Sequence, residues 1–174
     1  MIKLNWKLPY LLVILIIQLM VPAGKILRYH NTLKKGTLYK FHVKSYDLKK
    51  LEQGRYIHLD YALDLPDKMI NPLSHYGVLA VDSEGFARLA EISMTPPDSS
   101  KNYILVSMRS NTPYIDFNRY YLDSRISPKT AKGDLSRLRG QTAVIQAELR
   151  VYKGRAVVEN IVLDGIPIID AIDH

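Results

Sequence analysis

Seventeen consecutive residues without a charge, Leu8 to Gly24, lie between Lys7 and Lys25 and set the first division of the chain. As an α-helix they reach roughly 25 Å, a little less than a hydrocarbon core of roughly 30 Å, and the aliphatic stems of the flanking lysines supply the remainder. The same stretch has the layout of an export signal: basic Lys3 and Lys7, a short apolar centre, and Val21-Pro22-Ala23 at the cleavage positions. Both readings send the chain to export and differ in whether the mature protein keeps the segment. Apolar character continues to Val21 and leaves almost no polar spacer before a cut after Ala23, so the expectation is an uncleaved anchor. Lys25, Arg28, Lys34 and Lys35 follow it, so the positive-inside count does not set the orientation. A short cytoplasmic tail and an exported C-terminal domain are expected from the export-signal character alone. The alternative is a buried core helix, but the 150 residues after Gly24 carry enough pattern to close a core without it.

A chain of 174 residues has room for one domain and an appendage. The expected division is 1–24 as anchor or signal segment, 25–36 as a juxtamembrane connection, and 37–174 as a single β-rich domain. The absence of cysteine removes disulfides, thiolate metal sites and thiol nucleophiles. The net charge of +7 attracts polyanions in general. No run of five or six like charges reads as a nucleic-acid arm, so a solvated basic surface is favoured and nucleic acid is not the expected partner.

Strand patterns dominate after Gly36. Leu38 to Ser45 alternates, with Tyr39, Phe41 and Val43 on the core face. Asp47 is placed to N-cap a single turn that points Leu48 and Leu51 inward, with Gly54 in the left-handed position that ends it. Arg55 to Leu63 alternates again, with Ile57, Leu59, Tyr61 and Leu63 on one face. Tyr76 to Val81 and Phe86 to Ile92 flank Asp82-Ser83-Glu84-Gly85 as a hairpin, which Pro96-Pro97 stops. Strands are predicted at Tyr103 to Met108 and Tyr114 to Leu122, and a helical turn at Thr130 to Arg139. Thr142 to Val151, with Ala143, Ile145, Ala147, Leu149 and Val151 on one side, reverses at Lys153-Gly154 and returns through Arg155 to Leu163. Asp164-Gly165 then turns the chain into a strand at Ile166 to Ile169. Short strands at hairpin spacing predict an all-β fold, a mainly antiparallel barrel or sandwich with short helical turns and an N-terminal transmembrane helix.

Gly54-Arg55-Tyr56-Ile57-His58-Leu59-Asp60-Tyr61 resembles the signature of the GDYXXLXY family of envelope proteins, departing only at Arg55, where the pattern has Asp. Asp47, seven residues before the glycine, and the membrane segment before it also resemble the family, as do Phe117-Asn118-Arg119-Tyr120-Tyr121 and the hairpin from Arg155 to Gly165. The resemblance implies a membrane-associated protein of uncharacterised function and transfers no catalytic residue or cofactor. It marks Asp47, Gly54, Tyr56, Leu59, Tyr61, Arg119 and Tyr120 as motif or candidate binding residues, with a structural role as the simpler account of each. A basic residue at position 55 argues against an acid-dependent reaction there.

Other candidate chemistry is sparse. Ser93-Met94-Thr95-Pro96 mimics the serine motif of Ser/Lys signal peptidases but follows Gly54 instead of preceding it, so a strand end is the simpler reading. His30, His42, His58, His75 and His174 show no metal-ligand spacing, although His42 and His58 with Asp60 lie on consecutive predicted strands and could cluster. There is no Walker loop, Rossmann glycine pattern or GxSxG elbow. The expectation is a periplasmic, inner-membrane-anchored domain that binds or assembles without catalysis or cofactor, its partner being the membrane and another envelope protein or polymer. An envelope hydrolase using Ser93 or a metal near His42 and His58 is the alternative.

Overall fold

The computed structural model describes residues 8–63, 75–98, 101–109, 112–138 and 144–172; the features expected at Lys3, Lys7, Arg139, Thr142, Ala143 and His174 lie outside the described residues. Helix α1 (Leu8–Lys35) runs unbroken through Gly24, so the expected connection at 25–36 is a helical continuation of the apolar run. Its 28 residues make a rod of roughly 42 Å. An 18-residue window of mean hydropathy 2.1 is 0% buried. Only the last turn docks, with Thr32 buried and its hydroxyl donating to the Arg28 carbonyl at 3.0 Å.

The domain that follows contains β1 (Thr37–Asp47), α2 (Leu51–Gly54), β2 (Tyr56–Tyr61), β3 (His75–Val81), β4 (Ala87–Ser93), β5 (Tyr103–Arg109), β6 (Thr112–Tyr114) and β7 (Arg119–Tyr121). It ends with α3 (Pro128–Leu138), β8 (Ile145–Tyr152), β9 (Arg155–Leu163), β10 (Ile166–Pro167) and α4 (Ile168–Ile172). One antiparallel sheet has the order β10-β9-β8-β1-β2-β7 and the other β4-β3-β5-β6. Strand β1 pairs β8 over Thr37–His42 and β2 over Val43–Asp47, with an irregularity in the β2 pairing between Val43 and Ser45. A bulge there bends the strand and increases its twist, which curls the six-stranded sheet into a half-barrel and brings β7 towards β9.

The predicted core faces fill this curl. Tyr39, Phe41 and Val43 of β1 meet Ile57 and Leu59 of β2 and Ala147, Leu149 and Val151 of β8, all buried. Leu48 and Leu51 point inward as expected, and Ala131 and Leu135, one helical turn apart on α3, close the same end.

Several details depart from the sequence expectation. Asp47 does not cap α2: the N-cap position is Lys50, without a side-chain cap, and Asp47 Oδ1 accepts the Lys49 N–H at 2.9 Å. The left-handed residue is Arg55, φ 54°, one position after Gly54. Gly54 is required for another reason, since a Cβ there would lie 2.7 Å from Tyr56 Cδ1 and nearer still to Cε1. The predicted strand at Tyr114 to Leu122 is two strands in different sheets, because burial changes parity at Asn118: Ile115 precedes it inward, Tyr120 and Leu122 follow. After Pro167 the chain becomes helical, which buries both Ile168 and Ile172.

Candidate functional site

The motif strand acts as a template for the segment that crosses between the sheets. Tyr56, Ile57 and His58 pair with Tyr121, Tyr120 and Arg119. The Leu59 N–H donates to the Asn118 carbonyl at 2.8 Å, and the Tyr61 hydroxyl donates to the Phe117 carbonyl at 3.1 Å. On the other side the Leu122 N–H reaches the Arg55 carbonyl at 2.9 Å, and Arg55 Nη2 donates to the carbonyls of Asp123, Ser124 and Ile126 at 3.0, 3.1 and 2.9 Å. Residues 117–126 are therefore held at nearly every step by the eight-residue motif.

What that segment builds is a groove. Where the curl brings β7 opposite β9, a cavity of about 430 Å³ opens between them, with Tyr29 of α1 above and Ile169 of α4 at one end. A second hollow of about 310 Å³ shares Tyr29, Asp116, Phe117, Ala156 and Val157 with it and is also lined by Arg28, Thr32, Leu105 and Arg155. The two form one trough at the foot of the long helix. By contrast, the space lined by motif residues Leu59 and Tyr61 measures about 20 Å³, enough for about one water.

The expected site residues divide accordingly. Arg119 and Tyr120 line the trough. Tyr56 supports it from behind, with the Arg119 guanidinium 5.0 Å from its ring centroid and Tyr121 at 5.6 Å between centroids. Leu59 is core, Tyr61 is an anchor for the crossing segment, Gly54 makes room for Tyr56, and Asp47 closes a remote turn. Sequence reasoning missed Tyr29, Asp116, Phe117, Tyr121, Asp123 and Glu159. Phe117 and Tyr121 were legible as part of the second family block, whereas nothing local ties Tyr29 or Glu159 to the same place.

The charges in the trough are unequally engaged. Asp123 is gripped by Arg125 at 2.9 Å, whose hydrogen bonds pull its carboxyl down to about 2, and Glu159 by Arg150 at 2.7 Å. A hydrogen bond with Tyr121 stabilises the charged form of Arg119. Burial, with Asp123 and Tyr29 nearby, raises the Tyr120 phenol and keeps it neutral. Arg28 and Arg155 have no ion-pair partner among the described residues. Aromatic faces, short aliphatic side chains and free guanidinium groups together make a surface for binding amphipathic or anionic groups.

The other candidates do not assemble. Register places His58 beside Asp47, whereas His42 lies next to Ala62, whose N–H its carbonyl accepts. Five residues of β1 separate those points, roughly 17 Å, so the predicted histidine pair does not converge. His42 instead stacks on Phe86 at 3.6 Å. No group of three or more potential metal ligands occurs among the described residues. Ser93 Oγ accepts the Thr95 N–H and contacts Thr95 Oγ1, both at 3.2 Å, as a strand end would.

Neither the curated proteins nor the solved structures contain a match to this chain. The family model described as GDYXXLXY protein matches residues 18–161, from within the apolar helix through most of β9. With the signature strand, the crossing segment it holds and the turn from β8 into β9 all inside that match, the chain belongs to the GDYXXLXY protein family.

Proposed function

We propose that this protein is a single-pass anchored binding module of a bacterial envelope, with its β domain exported to the outer face of the inner membrane and the trough as its working surface. The observation that carries the reading is that α1 is unburied along its apolar length yet continues as one helix into the wall of that trough. An apolar helix of this length left in water would expose a hydrophobic surface far larger than folded proteins leave uncovered, and lipid is the solvent that suits it. The trough binds without consuming its ligand, as an attachment point for an envelope component.

Two measurements test this. Alkaline phosphatase fused after Gly36 is expected to be active in intact cells, and activity only from a cytoplasmic reporter at that position overturns the exported orientation. The full chain is expected to stay with membranes in alkaline carbonate; release into the supernatant overturns the anchor.

A further inference from the structure

We infer that the trough is a site for one anionic glycerophospholipid of the membrane that α1 crosses, its phosphate held between Arg28 and Arg155 and an acyl chain lying against Phe117 and Val157. The inference rests on the anchored reading and names the ligand of the same surface.

Charge complementarity is the first argument. Of the arginines lining the trough, Arg119 is engaged with Tyr56 and Tyr121, whereas Arg28 and Arg155 face the smaller hollow without an ion-pair partner among the described residues. Asp123 and Glu159 are already neutralised by Arg125 and Arg150, which leaves Asp116 as the acid that offsets them. Guanidinium groups bind phosphate oxygens in bidentate fashion and with charge-assisted hydrogen bonds.

Depth is the second. Arg28 is four residues past Gly24, the end of the uncharged run, or about 6 Å along the helix axis. That distance puts its guanidinium in the headgroup layer if the run fills the hydrocarbon core, with Tyr29 beside it at the level where amphipathic rings settle. The third is the apolar lining. Leu105 on the smaller hollow is 53% exposed and Tyr121 on the larger one 62% exposed, and an acyl chain running along the trough covers both while remaining continuous with the bilayer. A soluble anion would use the arginines and leave that wall wet.

The test uses the full chain in nanodiscs of equimolar phosphatidylglycerol and phosphatidylcholine, with the lipids retained by the ejected protein identified by native mass spectrometry. Phosphatidylglycerol is expected to be retained in preference to phosphatidylcholine, and Arg28→Gln or Arg155→Gln to lose about tenfold of that preference. Arg155→Lys is expected to keep part of it, and Lys49→Gln, remote from the trough, all of it. Equal retention of the two lipids, or a preference unchanged in both glutamine variants, overturns the inference. Inorganic phosphate added in excess separates the sources: phosphatidylglycerol that resists it supports the lipid, and complete displacement assigns a free anion and overturns the lipid. A chain that fails to enter the nanodisc at all overturns the anchored reading instead.

Discussion

Arg55 stands where the family pattern has an acid, and it does so in a left-handed conformation, φ 54°, that costs a non-glycine residue of order 1 kcal/mol or more. Its guanidinium recovers that cost by donating to three carbonyls of the loop that leaves β7. Arg55→Ala keeps the strained backbone and removes the donor, so a loss of about 1–2 kcal/mol is expected in urea unfolding of the detergent-solubilised chain. Arg55→Gly relaxes the backbone and is expected to be milder by about 1 kcal/mol. Arg55→Asp, which restores the family residue, places a carboxylate among carbonyl oxygens and is expected to be the most damaging of the three.

Tyr61 makes a pH-dependent prediction. Burial raises its phenol above the ordinary 10.0. Because the folded value lies above the unfolded one, the stabilisation from the neutral phenol is complete below pH 10.0 and is lost as pH climbs towards the folded value. Tyr61→Phe forfeits the hydrogen bond to Phe117, about 1 kcal/mol at neutral pH, but has no proton to lose. The stability gap between wild type and variant is expected to narrow above pH 10.0, and urea titrations on both sides of that pH measure it.

At the scale of elements, the hairpins were legible because their turns have strict backbone demands. Lys153 and Gly154 have φ 49° and 78°, and Asp164 and Gly165 have φ 48° and 85°, so both predicted reversals use consecutive left-handed residues, as two-residue hairpins with primed turns do. Gly154 carries a second demand, since a Cβ there would lie 2.6 Å from Tyr103 Cε2. Gly154→Ala is expected to destabilise by about 2–3 kcal/mol, read from thermal unfolding, with the contact between the β8–β9 hairpin and β5 lost first. The crossing segment was less legible. Alternation between Tyr114 and Leu122 suggested one strand, and the change of parity at Asn118 was the one local sign that the chain changes sheets there. Asn118 is itself buried, and its side-chain amide donates to the Tyr114 hydroxyl at 2.6 Å across that change. A period-two pattern identifies which side chains point inward, not which sheet supplies the partner strand.

For the whole molecule, the central division is between a helix joined to the globule only at its C-terminal end and a globule closed around residues far apart in the chain. Phe41, Leu59, Ile104, Leu149 and Ile161 are all essentially inaccessible, while none of the most apolar 18-residue stretch of α1 is buried. Removing residues 1–24 is therefore expected to yield a water-soluble, cooperatively folding domain, checked by size exclusion without detergent and by a single thermal transition. Aggregation of that shortened chain, with molten side-chain packing, would mean that the apolar segment belongs to the core after all.

The apolar run, the inward faces of the strands and the primed turns were determined by the sequence alone, because each depends on residues within a few positions of one another and on properties a side chain carries with it. The trough was decided only by the tertiary structure. It joins Tyr29, Phe117, Arg119, Val157 and Ile169, brought together when a bulge in β1 curls one sheet until β7 approaches β9. The sum of twist and curl over five strands is a property of the assembled sheet, and no pairwise spacing along the chain encodes it.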